Sequence, residues 1–166
     1  MSQSTTGGPN EGKRAPRLPP RWFVRGAWVV HRAIHRFSGG RRGLATPKPG
    51  GQFGYLVLKT VGRHSGKERA AILGYYEDGP NLVTLAMNGW ASPEPAWWLN
   101  LQAHPDAVVE LKHGLRAVRA RAAQGEERAR LWAAVRNYSG YGNDVDAYAS
   151  LRSSETAVVV LEPRSV

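Results

Sequence analysis

The sequence predicts a mainly β protein, a small closed barrel of about six antiparallel strands with a few short helices. From residue 53 onward, short apolar segments alternate with turn residues. Two of the turns, E-D-G-P-N at Glu77–Asn81 and H-G at His113–Gly114, are short enough to join hairpins. Because a sheet of this size must pair, cover or close its edges, we expect a barrel.

The individual elements follow from apolar periodicity. A helix is predicted over Ala96–Ala103, since Pro105 ends it, and a second from Glu126 to about Tyr138. Leu131 and Val135 form an apolar pair one turn apart on that second helix. The strands are predicted at residues 53–60, 67–76, 82–87, 106–112, 115–123 and 156–162.

The N-terminal part has a different composition. Residues 1–20 are small, polar and proline-rich, which predicts a disordered tail. Residues 21–43 predict a basic amphipathic helix with apolar residues from Trp22 to Phe37 on one face and a glycine-rich end. Residues 44–52 are a linker and 53–163 the barrel domain. The arginines that share the opposite helix face are Arg21, Arg25, Arg32 and Arg36.

Charge is distributed unevenly along the 166 residues, whose formal net charge is +10. Residues 1–70 carry 14 Lys and Arg against two acidic residues, and the remainder carries 9 against 11. This asymmetry predicts an anionic partner: nucleic acid, a membrane surface or an anionic small molecule. The absence of cysteine excludes disulfides, thiolate nucleophiles and cysteine–zinc sites.

The positive charge is concentrated in one turn, Lys59–Arg69, which we call the cationic corner. Gly62 and Gly66 permit a left-handed backbone and close approach of a ligand. Ser65 adds a hydroxyl, and the arginines and Lys67 offer donors suited to phosphate or carboxylate. A solvated hairpin is the alternative reading of this segment alone.

Four ordered blocks distinguish these readings. They are G-R-x-S-G-x-x-R at Gly62–Arg69, D-G at Asp78–Gly79, A-x-N-G at Ala86–Gly89 and P-x-W-x-x-N-L-x-A-x-P at Pro95–Pro105. Together they resemble the deazaflavin-dependent nitroreductase and quinone reductase family, which uses coenzyme F-420 (F420). The resemblance covers about residues 21–163. It implies a split β-barrel of the flavin-reductase type.

The resemblance also implies an activity, the transfer of a hydride from reduced coenzyme F420 to a quinone or nitroaromatic-like acceptor. Flavin mononucleotide is the less favoured cofactor. Tyr138, Tyr141 and Tyr148 are the implied catalytic residues, lining the acceptor pocket, and packing of their loop is the alternative. Asn100 is expected to cap or tie the local backbone. The implied cofactor-binding residues are Lys59, Gly62, Arg63, His64, Ser65, Gly66, Lys67, Arg69, Ala86, Met87, Asn88, Gly89 and Trp97.

Several positions depart from the family pattern. His64 stands where lysine is usual, Glu68 where proline is frequent, Met87 where serine is usual, and Trp90 where the second glycine is usual. An alternative therefore stays open: a non-catalytic split-barrel protein that binds a lipid or another apolar anionic ligand.

The partners of the basic N-terminal helix also stay open. It packs on the barrel or lies on an anionic bilayer, while nucleic acid is the least favoured partner. We expect a cytoplasmic protein, with peripheral attachment to the inner face of the plasma membrane as an option. His31 and His35 have a spacing that zinc can use, but no third ligand is visible nearby, and no metal is predicted.

Overall fold

A closed barrel forms the centre of the computed structural model, which describes residues 43–142 and 144–165. The barrel order is β1-β2-β3-β6-β5-β4, every pair is antiparallel, and β1 pairs with β4. The predicted fold class is confirmed, with strand ends within two residues of those predicted. The strands are β1 (Gly54–Val61), β2 (Glu68–Asp78), β3 (Asn81–Leu85), β4 (Asp106–Leu111), β5 (Gly114–Ala122) and β6 (Val158–Pro163).

Three α-helices accompany the strands in the described residues: α1 (Ala96–Ala103), α2 (Gly125–Ala134) and α3 (Val145–Ser150). Helix α1 lies where it was predicted, whereas α2 ends early because Val135–Asn137 tightens into a 3-10 turn. Helix α3 was not predicted. Its six residues are too few for a periodic signal, but Asp144 caps it, accepting from the backbone N–H of Ala147 at 3.0 Å.

The barrel interior is one apolar core. Leu82 of β3 and Leu161 of β6 are 1% and 0% exposed, and both point inward. Trp98 and Leu101 of α1 pack into the same core. Each such aliphatic side chain contributes about 1.5–3 kcal/mol by burial, so this core fixes α1 against the barrel.

A second apolar layer covers the outside of β3 and β6. Val83 and Val160 are buried on that outer face and pack with Leu131 of α2 and Tyr141. Because β3 and β6 are buried on both faces, their sequences read as continuous apolar runs instead of alternating. The end of β3 therefore lies between two cores.

Residues 43–52 run alongside the barrel, where Ala45 pairs with Tyr55 and Gln52 with Ser139. Most of the predicted basic helix, the predicted tail, His31 and His35 lie outside the described residues. Within the described part of the chain, no helix is long and apolar enough to cross a membrane.

Candidate functional site

The cationic corner joins β1 to β2 and is closed by two backbone hydrogen bonds. The N–H of Gly62 donates to the Lys67 carbonyl and that of Gly66 donates to the Gly62 carbonyl, both at 2.8 Å. Gly66 has φ +64°, and a Cβ on Gly62 would lie 2.7 Å from Ser65 Oγ. Gly66 is thus required for its backbone angle, and Gly62 is required because there is no space for a side chain.

Ser65 organises the corner from within. Its Oγ accepts from the Lys67 backbone N–H at 3.3 Å and from Arg69 Nη2 at 3.4 Å. These contacts use the acceptor capacity of the hydroxyl and leave its proton free to donate to a ligand oxygen.

Arg63 is held by a residue far away in sequence. Asn100 Oδ1 accepts from both the backbone N–H and Nη1 of Arg63, each at 3.2 Å. Asn100 is 5% exposed, and its Nδ2 donates to Thr60 Oγ1 at 3.2 Å. Asn100 therefore ties the corner to α1 through long-range contacts, where a tie to the local backbone was predicted.

The corner cations differ from the other basic residues in their partners. Across residues 43–142 and 144–165, Arg63, Lys67 and Arg69 have no carboxylate within ion-pairing distance, while Lys59 Nζ lies 3.7 Å from Glu110. The corner side chains are exposed and free to bind an anion. The arginines of the second half that do have a carboxylate partner are Arg119, Arg121, Arg128, Arg130, Arg136 and Arg164.

A glycine pair tests whether the corner geometry matters for binding. Gly66 (φ +64°) and Gly79 (φ +59°) both lie in turns, and a Cβ on either would meet nothing within 4 Å. Gly66→Ala and Gly79→Ala should each lower the free energy of unfolding by about 1–2 kcal/mol through left-handed strain. Only Gly66→Ala should weaken binding of an anionic ligand, measured by titration beside denaturant unfolding. Equal affinities in the two variants would contradict this.

The end of β3 is the second part of the candidate site. Ala86 is buried, and its N–H donates to the Ala157 carbonyl at 2.9 Å. The three residues of the following 3-10 turn all have positive φ: Asn88 at 47°, Gly89 at 63° and Trp90 at 63°. Such a run is unusual for side-chain-bearing residues and indicates a tightly held backbone.

Trp90 explains how this backbone is held. Its Nε1 donates to the Tyr141 carbonyl at 2.9 Å, and its ring is 7% exposed. The ring stacks on Tyr148, with centroids 6.1 Å apart and planes 18° apart, and meets Trp132 edge-on at 6.4 Å. Trp90 therefore joins the β3 end to the layer that carries the predicted tyrosines.

The three tyrosines lie in that outer layer, in different surroundings. Tyr148 is half-buried against Trp90, and Tyr138 is half-buried and stacked on Tyr76 at 5.2 Å. Tyr141 is 1% exposed, and its hydroxyl is enclosed without a hydrogen-bond partner in the described residues. Burial raises the pKa of Tyr141 and of Tyr138, with Glu77 adding to the effect at Tyr138, so both phenols stay protonated at neutral pH.

Two matched substitutions test the enclosed hydroxyl. Tyr141→Phe should raise the free energy of unfolding by about 1–2 kcal/mol, because it removes a buried polar group that lacks a partner. Tyr76→Phe should lower it by about 1 kcal/mol, because Tyr76 Oη donates to the Leu131 carbonyl at 2.7 Å. Denaturant unfolding measures both, and a loss of stability in Tyr141→Phe would show that its hydroxyl does have a partner.

Two further residues bear on the site. Trp97 is half-buried beside Trp98, with ring centroids 6.4 Å apart, and packs against the barrel core. Arg152 was not predicted: it is 7% exposed, and its Nη1 donates to the Ala86 carbonyl at 2.8 Å. A lone arginine in a polar stretch gives no sequence signal, because only the fold brings it to β3. The described residues also hold no group of three His, Asp or Glu suited to a metal ion.

Comparison with known proteins identifies the family. A model of the F420H(2)-dependent quinone reductase family matches residues 28–163. The chain belongs to this family. The F420H(2)-dependent quinone reductase Rv1261c of Mycobacterium tuberculosis (strain ATCC 25618 / H37Rv) is 33% identical over 152 residues, covering 87% of this chain and 97% of the relative.

Solved structures agree with this assignment. An F420-H2 dependent reductase (FDR-A) is 26% identical with a TM-score of 0.56, over 65% of this chain and 93% of that one. A heme binding protein from Mycobacterium smegmatis shows the fold alone, at 19% identity and a TM-score of 0.52 over 68% and 47% of the two chains.

Membership in the quinone reductase family makes this chain an F420-dependent reductase with coenzyme F420 as its cofactor. The predicted cofactor, coenzyme F420, is confirmed and flavin mononucleotide is not favoured. The predicted enzyme class is also confirmed, in place of a non-catalytic binding protein. The residues present fit the group. The donors of Arg63, Lys67 and Arg69 have no carboxylate partner among the described residues, so they can bind a cofactor with an anionic tail.

Proposed function

We propose that this chain transfers a hydride from reduced coenzyme F420 to a quinone, with nitroaromatic compounds as further acceptors. In this proposal the cationic corner binds the anionic tail of the cofactor, and Ala86–Gly89 lies against its ring. Trp97 forms part of the wall on the cofactor side. Tyr138 and Tyr148 shape the acceptor side, and the buried Tyr141 supports them from within the same apolar layer.

The observation that carries the proposal is the free charge of the corner. Arg63, Lys67 and Arg69 project without a carboxylate partner from the described residues, although ion pairs are frequent elsewhere on the barrel. Asn100 holds Arg63 in place, which reduces the side-chain entropy lost when an anion binds.

Helix α1 supports the proposed placement of tail and ring. It begins just after the loop that follows β3 and contributes Asn100, which contacts the corner. The buried Trp98 and Leu101 fix this helix to the barrel core. The corner is therefore attached to the helix that follows the β3 end in the chain, which supports a cofactor held at both places.

The chemistry divides between cofactor and protein. When bound, reduced coenzyme F420 supplies the hydride, and a quinone needs one hydride and one proton to become a hydroquinone. The proton must come from a phenol or from solvent. Tyr148 is best placed among the three tyrosines, because it stacks on Trp90, the residue that follows Gly89.

Tyr148→Phe tests this role. We expect the turnover number with a quinone to fall about 100-fold, the lower range for loss of a general acid, while cofactor affinity is retained. Tyr138→Phe removes a second half-buried phenol of the acceptor side and should lower the turnover number less than Tyr148→Phe. Steady-state kinetics with menadione measures both. Equal rates for Tyr148→Phe and the unmodified protein would assign the proton to solvent.

The function itself is tested by titration and turnover. The chain should quench the fluorescence of oxidised coenzyme F420 on binding, with an affinity that falls as salt rises. It should then oxidise the reduced cofactor with menadione, and nitroaromatic compounds should be compared as acceptors. Flavin mononucleotide has a single phosphate in place of the longer acidic tail, so it should compete only weakly. Competition by flavin mononucleotide at equal concentration would contradict the proposed tail site.

A separate proposal, independent of the reductase chemistry, is peripheral attachment to a membrane through the predicted basic helix at residues 21–43. Sedimentation with anionic vesicles, comparing the full chain with a variant in which Arg21, Arg25, Arg32 and Arg36 are glutamine, would test it.

A further inference from the structure

Arg152 is the most deeply buried basic side chain in the part of the chain that the structure describes, at 7% exposure. Its Nη1 donates to the Ala86 carbonyl and to Thr156 Oγ1, both at 2.8 Å. Its Nε and Nη2 are enclosed without a partner among the described residues. The guanidinium therefore connects the segment before β6 to the end of β3.

This segment is itself anchored on two sides. Ser153 and Ser92 hydroxyls lie 2.9 Å apart, which joins it to the loop after β3. Arg128 of α2 donates to the Thr156 carbonyl at 3.1 Å and pairs with Glu155 at 3.0 Å. These contacts hold the backbone around Arg152 in place, so its guanidinium is oriented toward the Ala86 carbonyl.

The electrostatic cost shows that packing alone does not explain the residue. Burial lowers the pKa of the Arg152 guanidinium, and the nearby Glu94 carboxylate opposes this without forming an ion pair. An apolar side chain of similar volume is often as stable as a buried charge, or more so. The arginine offers what an apolar residue does not, a charge-assisted hydrogen bond to the Ala86 carbonyl.

We infer that Arg152 is a positioning residue, whose guanidinium holds the Ala86 carbonyl and so fixes Ala86–Gly89 in place for hydride transfer. This inference rests on the proposed function, which puts the cofactor ring at that strand end. It separates two tasks: the corner supplies affinity, and Arg152 supplies alignment. Misalignment of reacting groups by about 1 Å can slow a reaction about 100-fold.

The test compares Arg152→Gln, Arg152→Lys and the matched control Arg119→Gln, which removes an exposed arginine paired with Asp106. Arg152→Gln should lower the turnover number with menadione at saturating reduced coenzyme F420 at least tenfold. Its dissociation constant for oxidised coenzyme F420 should change less than threefold. Arg152→Lys, which can still donate to the Ala86 carbonyl, should recover most of the rate, and Arg119→Gln should match the unmodified protein.

A second readout needs no cofactor. Amide hydrogen exchange of the peptide spanning residues 85–92 should accelerate at least tenfold in Arg152→Gln, but not in Arg119→Gln. If Arg152→Gln does not fold, Thr156→Val removes one acceptor of the same guanidinium and should show the same changes in smaller degree.

The outcomes separate the two proposals. Unchanged hydrogen exchange and an unchanged turnover number in Arg152→Gln would overturn the positioning role. The role would also be overturned if cofactor affinity and turnover number fell by the same factor as the fraction of folded protein. Failure of the unmodified protein to bind coenzyme F420 would overturn the proposed function. In that case hydrogen exchange at residues 85–92 would still test whether Arg152 stabilises the end of β3. Faster exchange in Arg152→Gln would support this, and unchanged exchange would refute it.

Discussion

Replacing Arg63 and Arg69 together by glutamine should weaken the binding of oxidised coenzyme F420 about 100-fold. Each replacement removes a charge-assisted hydrogen bond worth about 1.4 kcal/mol, which is tenfold in affinity. Fluorescence titration measures the change. Folding should be little affected, because both side chains are exposed and neither has a carboxylate partner in the described residues. The side-chain hydrogen bonds to Asn100 and Ser65 are lost, but Asn100 keeps its bond to the backbone N–H of residue 63.

Salt dependence distinguishes direct binding of the anion from a general effect of charge. The affinity of the double variant should depend less steeply on salt than that of the unmodified protein, because fewer charges contact the ligand. The control is Arg119→Gln with Arg164→Gln, which removes two positive charges that both pair with Asp106. A similar loss of affinity in this control would point to net charge instead of the corner.

Shortening the Trp90 side chain should give the largest loss of stability. Unusually, glycine should be better tolerated than alanine at this position. Trp90→Ala should lower the free energy of unfolding by about 3–5 kcal/mol, because a buried indole with a hydrogen bond and two ring contacts is lost. Trp90→Gly should be the milder change by about 1 kcal/mol, since glycine tolerates the left-handed backbone at φ 63°.

Trp98 provides the matched control for this order. It is 5% exposed and lies within α1, where its backbone is helical. There glycine should be worse than alanine by about 1 kcal/mol. Denaturant unfolding of the four variants measures both differences. If alanine were more stable than glycine at both positions, the left-handed conformation of Trp90 would not be a property of the folded protein.

The strands and α1 were predictable because their signals are local. Turn residues such as Asp78 and Gly79 stand between apolar runs, and Pro105 marks where α1 must stop. The last helix was missed because Val145–Ser150 spans less than two turns, and its side chains pack on a layer built from distant segments. Only the Asp144 cap pointed to it.

The candidate site shows the same division. The composition of the cationic corner was visible in the sequence, because its charges are adjacent. The contact that fixes it was not, since Arg63 and Asn100 lie 37 residues apart. Arg152 and Ala86 are 66 residues apart, and Tyr141 faces an apolar layer that only the packing of β3 and β6 creates.

Closure of the barrel has a consequence for self-association. Each of its strands already has a neighbour on both sides, so the described sheet offers no template to the backbone of a second molecule. Strand exchange between molecules would first have to break a ladder. Among the strand pairs that are not joined by a hairpin turn, β1 and β4 share the fewest residue pairs, three, from Val57–Glu110 to Lys59–Val108. Strand exchange would therefore begin between β1 and β4.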